Sequence, residues 1–174
     1  MKKQHDPAGA AAFLPRTREH MRERGWDALD VLLVTGDAYV DHPSFGVPAI
    51  GRLLEKRGLR VGILDVPELE PDGSGWKRLP APLLWIGVSA GTIDSMVTNY
   101  TASKKLRHQD VYRPGGVPGR PNRATIAYTA LARHHFPGVR VIVGGLEAGP
   151  RRLAYYDYWE DKLRRSILVD AKAD

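Results

Sequence analysis

The chain has 174 residues and 43% hydrophobic content, enough apolar material for one compact α/β domain with its own core. Lys and Arg number 26 against 20 Asp and Glu, a net charge of +6 that favours acidic partners without requiring nucleic acid. Cysteine is absent, which excludes disulfides, thiolate zinc sites, a cysteine nucleophile and any cysteine-ligated iron–sulfur cluster held by these residues.

Residues 1–12 are read as a flexible N-terminal tail. They open with charge, but the stretch from Pro7 to Phe13 is too short and too weakly apolar for a signal sequence. No other segment approaches membrane-spanning length, so the expectation is a cytoplasmic protein with no membrane partner.

The domain itself is expected over residues 13–174. A nearly continuous run of branched and leucine side chains over 29–35 predicts a buried parallel strand ending at Gly36-Asp37. Val47, Ile50, Leu53 and Leu54 then fall at helical spacing, with Ser44 as N-cap and Gly58 as the stop. Residues 59–65 return as a second strand, completing a βαβ unit. A third strand is predicted over 83–88, followed by a helix opening at Thr92 with Ile93, Met96, Val97 and Tyr100 on one face. A helix over 122–135 ended by Pro137-Gly138, and a fourth strand over 139–143, follow. Residues 67–82 and 113–121, rich in Pro and Gly, read as surface connections. Trp159, Leu163 and Ile167 lie at helical spacing and predict an amphipathic helix with a basic outer face.

Strands alternating with helices imply a doubly wound, mainly parallel sheet, in which ligands bind beyond the carboxyl ends of the strands. The candidate cleft residues are therefore Thr35, Gly36, Asp37, Asp41, His42, Ser44 and Gly46 after the first strand, Ser89 after the third, and Gly144, Gly145 and Glu147 after the fourth. Asp41 beside His42 could orient an imidazole, or both could brace the next helix. Paired glycines permit positive φ or close approach of a ligand. No dinucleotide or P-loop glycine spacing is present. His134-His135 would complement a helix dipole rather than hold metal, since no third ligand lies at helical spacing.

The string Val34-Thr35-Gly36-Asp37-Ala38-Tyr39-Val40-Asp41-His42-Pro43-Ser44-Phe45-Gly46 closely resembles the start of the YgiQ family of radical S-adenosylmethionine (SAM) proteins. The resemblance continues through Phe13-Leu14-Pro15, Asp94-Ser95-Met96-Val97, Asn99-Tyr100-Thr101-Ala102, Tyr112-Arg113-Pro114-Gly115-Gly116 and Val143-Gly144-Gly145-Leu146-Glu147-Ala148. It ends with Arg151-Arg152-Leu153-Ala154-Tyr155-Tyr156-Asp157-Tyr158-Trp159 and Arg164-Arg165-Ser166-Ile167-Leu168.

The resemblance implies a Rossmann-like N-terminal domain that precedes a radical SAM barrel, where three cysteines hold a [4Fe–4S] cluster that cleaves SAM. No catalytic residue carries over to a chain without cysteine, and the expected cofactor complement of these residues is none. The resemblance also implies that a last strand of the sheet lies beyond Asp174. A looser similarity is to cobalamin-binding domains, in which Asp41, Gly46 and Gly144-Gly145 match but His42 is displaced by one position and Ser89-Ala90-Gly91 lacks a leucine. That mismatch argues for a shared scaffold and against bound cobalamin. The implied function is an accessory domain that positions an unknown substrate or a cofactor against the barrel. The alternative is a nucleic-acid-binding module that uses the basic and aromatic segment 151–165.

Overall fold

The computed structural model describes residues 13–174, and the tail expected over 1–12 lies outside the described residues. A short helix α1 (Arg18–Glu23) leads into β1 (Val31–Thr35), α2 (Gly46–Lys56), β2 (Val61–Asp65) and β3 (Trp85–Ser89). Then come α3 (Ser95–Asn99), α4 (Ala124–His135), β4 (Arg140–Gly144) and α5 (Gly145–Ala148). A hairpin of β5 (Tyr155–Asp157) and β6 (Lys162–Arg164) precedes the last helix, α6 (Ile167–Ala171).

The first four strands form one sheet in the order β2-β1-β3-β4, with every pairing parallel. Alternation of side chains across the pleat divides the core in two. Leu32, Val34, Leu64, Ile86, Val88 and Val141 point to the face covered by α4. There they meet Tyr128, Ala132 and the fully buried Trp76. Val31, Leu33, Val61 and Ile63 point to the opposite face, where Leu14 and α2 cover them. Right-handed crossovers account for this division, because α2 serves a step to the left of β1 and α4 a step to the right of β3. The α2 face of β3 and β4 is thereby left without a helix over it.

Several local expectations change. Helix α2 begins at Gly46 after Phe45, with no side-chain cap. The Ser44 amide instead donates to His42 Nδ1 at 3.2 Å. Of the expected apolar face, Val47 and Leu54 pack on the sheet, whereas Ile50 and Leu53 are about half exposed. Pro48 and Gly51 take the buried positions, and a Cβ on Gly51 would stand 2.5 Å from Leu14, which packs between helix and sheet, and 3.4 Å from Leu33 of β1. The cap of α3 is Asp94, whose side chain accepts the Met96 and Val97 amides, rather than Thr92. At the end of α4, His135 stacks on Trp76 with centroids 5.3 Å apart. Burial, with His134 beside it, lowers its pKa, so it is poorly suited to carry the charge expected at a helix end.

The largest difference lies at 155–164. In place of an amphipathic helix, Tyr155–Asp157 and Lys162–Arg164 pair antiparallel. Asp157 closes the turn by accepting the Trp159 and Glu160 amides, Asp161 takes a left-handed φ of 52°, and Leu163 is exposed. Tyrosine-rich sequence favours extended backbone, and an Asx turn is a local competitor that helical spacing alone does not register. The described residues include no helix long and apolar enough to cross a membrane.

Candidate functional site at the strand ends

Along the α2-side face of β1, β3 and β4, and reaching their carboxyl ends, lies a cleft of about 350 Å³. Its floor is the α2-side face of β3 and β4, with Trp85, Gly87 and Ile142, bordered by the buried Leu33 of β1, and one wall is the first turn of α2. Gly144 leaves the hollow open, whereas Gly87 lets Leu33 and Trp85 close over the strand. A side chain on Gly144 would enter open space, and one on Gly87 would run into Leu33 and Trp85 at 2.8 and 2.9 Å. At the inner end the lining turns polar, with Thr35, Asp37, Ser89 and Thr92.

Behind that polar end is a buried ionic network. Arg120, whose side chain is fully buried, donates from one terminal nitrogen to Asp37 at 2.8 Å and from Nε to Asp110 at 2.8 Å. Its other terminal nitrogen donates to the Ala90 carbonyl. Asp37 also accepts the Thr92 hydroxyl at 2.7 Å. Ser89 Oγ accepts the Gly91 amide at 3.1 Å and lies 3.2 Å from the Gly91 carbonyl oxygen. Gly91 has φ +130°, and a Cβ there would stand 2.7 Å from Asp37 Cγ. Glycine is therefore required twice over, by conformation and by space. The Tyr128 hydroxyl is buried with no hydrogen-bond partner among the described residues, and burial pushes its pKa up to about 12.

The structure brings Thr35, Asp37, Ser44, Gly46, Ser89, Gly144 and Gly145 to the cleft wall. Gly36 lies behind it, where a Cβ would stand 2.6 Å from Arg120. Asp41 turns away to pair with Arg52 of α2, accepting Nε at 3.0 Å, and His42 is exposed beside Ser44. Asp41 therefore braces α2, as the second alternative from the sequence had it, while the His42 imidazole accepts the Ser44 amide in the turn before the helix. Glu147 is also outside the cleft. Its carboxylate is 2% exposed and accepts the Ser95 and Thr125 amides, each at 2.8 Å, so it ties the starts of α3 and α4 together.

Sequence reasoning missed Arg120, because its Pro- and Gly-rich surroundings resembled a surface connection. The signal available was an arginine among turn residues with Asp110 ten positions earlier. It also missed Trp85, Gly87 and Ile142 as cleft floor, since nothing in the pattern says which sheet face lacks a helix.

The basic, aromatic segment is differently engaged. Arg151 pairs with Asp94, Arg123 with Asp157 and Glu160, and Arg164 and Arg165 with Asp170. Trp159 packs on Tyr100 with ring centroids 5.3 Å apart, and the Tyr158 hydroxyl donates to the Ala102 carbonyl. Four of the segment's five cations, Arg151, Lys162, Arg164 and Arg165, are paired with carboxylates, which is not the open basic groove that strand-tracking needs, and the nucleic-acid alternative has no support.

A doubly wound parallel α/β domain with a cleft at its strand ends is the class that these features define. The chain belongs to the radical SAM N-terminal family, whose family model matches residues 13–174. It is 58% identical over 163 residues to a UPF0313 protein of Thermotoga maritima, covering 93% of this chain and 29% of that protein. It is 53% identical to UPF0313 proteins of Rhodopseudomonas palustris and Pseudomonas aeruginosa, covering 25% and 22% of their lengths. The chain thus spans less than a third of these relatives. No solved structure matches it.

The family implies a [4Fe–4S] cluster and SAM for the full-length protein. The residues here do not fit the cluster: the sequence has no thiolate, and no group of three or more metal-ligating side chains occurs among the described residues. Carboxylate and imidazole are harder ligands and poor substitutes.

Proposed function

We propose that this domain is the accessory front part of a radical SAM iron–sulfur protein, and that its strand-end cleft positions a substrate or cofactor against the portion that holds the cluster. The observation that carries this reading is the open cleft itself. Its floor lies on the sheet face that the domain's own crossovers leave uncovered, and its polar end is held by the Asp37–Arg120–Asp110 network. Preorganised walls of this kind suit a site on which another rigid body closes.

A chimaera in which this domain replaces the matching part of the Thermotoga maritima protein provides the test. A photo-crosslinking amino acid at Leu146, on the cleft wall and 58% exposed, is expected to capture the rest of the polypeptide. The same group at Leu163, on the hairpin and 79% exposed, is not. Capture at Leu163 alone would place the contact elsewhere and overturn the proposal.

A further inference from the structure

We infer that the cleft takes a neutral, flat, largely apolar organic group of small-molecule size, and that it discriminates against ligands recognised through phosphate or carboxylate. This rests on the reading of the cleft as a ligand site given above and adds the chemical class of the ligand.

The volume, about 350 Å³, falls within the range of small-molecule pockets. The floor offers the Trp85 indole, Leu33 and Ile142, with Trp85 and Leu33 drawn in over Gly87, and Ile50 of α2 lines the same cleft. A slot between a sheet and a helix turn accommodates a thin group better than a branched one. Among the described residues no Lys, Arg or His lines the cleft, and its charged side chain is the Asp37 carboxylate. Asp37 itself is already engaged by Arg120 and Thr92. An anion would therefore be desolvated against apolar walls with no cationic side chain to offset the cost, facing only the first-turn amides of α2, where Pro48 lacks one. A neutral ring loses little on entry and leaves the Thr35 and Ser89 end of the cleft for one polar substituent. The chain's basic excess lies elsewhere and does not alter the local chemistry.

N-phenyl-1-naphthylamine, an uncharged aromatic dye that brightens in apolar sites, tests this on the 174-residue chain. The expected result is saturable binding of one dye, unchanged by millimolar phosphate or AMP. Gly144→Leu should weaken it at least tenfold. Gly144 has an extended backbone that any residue adopts, and a Cβ there meets nothing within 4 Å, so the variant fills the cleft without strain. Ile142→Lys, at a residue 46% exposed, should weaken it similarly while placing a cation on the floor. Circular dichroism and an unfolding curve confirm that both variants fold.

Dye binding that neither substitution changes, or that phosphate or AMP displaces, would overturn the inference. So would concentration-dependent dimerisation abolished by Gly144→Leu, which would assign the surface to a second copy of the chain. Failure of dye binding while crosslinking at Leu146 persists would sink this inference and leave the proposed function standing. Crosslinking failure with intact dye binding would do the reverse.

Discussion

At the strand ends, Arg120 and the neighbouring Gly36 and Gly91 are packed with no room for a further atom. With a fully buried guanidinium held between Asp37 and Asp110, Arg120→Met would leave two buried carboxylates unpaired, and the expected cost is about 3–5 kcal/mol in urea unfolding. Glycines allow a sharper comparison. At Gly36 an added Cβ meets the Ala90 carbonyl, which is backbone, as well as Arg120, so Gly36→Ala should cost about 1–3 kcal/mol by overpacking. Gly144→Ala, facing open space, should stay within about 0.5 kcal/mol of wild type. Equal midpoints for the two variants would contradict the packing described. From sequence, Asp37, Ser89 and Gly144-Gly145 were legible because they follow strands directly. Arg120 was not, because its partner Asp37 lies 83 positions away.

At the scale of elements, the four strands were legible as short apolar runs, and their parallel order follows from the alternation with helices. The hairpin was not, because Trp159, Leu163 and Ile167 satisfy a helical period while the decisive interaction is the Asp157 turn. Burial opposes the charge on Asp157, yet Arg123 and the Glu160 and Trp159 amides outweigh it and hold the carboxyl below its usual range. A carboxyl lowered in the folded state contributes stability that is present above its unfolded pKa, about 4, and is lost as pH falls through the folded value. Asp157→Asn should therefore cost about 1–3 kcal/mol near neutrality, and the two proteins' stabilities should converge as the pH falls below about 4. A gap independent of pH would remove Asp157 from that role. A second expectation concerns β4. The Asp174 amide donates to the Val141 carbonyl at 2.9 Å and its carboxylate accepts the Val141 amide at 2.8 Å, the positions that a parallel neighbour's backbone occupies. We propose that in the longer relatives a further strand runs there. Adding that segment to this chain should raise the urea midpoint, and an unchanged midpoint would argue against it.

For the whole molecule, the doubly wound architecture and the family were legible, the first from period and the second from specific strings around the strand ends. Which face of the sheet stays open depends on crossover handedness and on where α2 and α4 come to rest, which no local pattern encodes. Because the chain supplies no thiolate, anaerobic reconstitution with iron and sulfide should give no cluster absorbance. No 5′-deoxyadenosine above a no-protein control should form from SAM under strong reductant. The central claim, that the open cleft faces the cluster-bearing remainder, is tested most directly by amide hydrogen exchange on this domain alone and within the Thermotoga maritima chimaera. The account predicts that peptides spanning 36–48, 85–92 and 142–148 gain protection in the chimaera while those spanning 155–164 do not. Protection confined to 155–164, with the cleft segments exchanging as they do in the isolated domain, would contradict it.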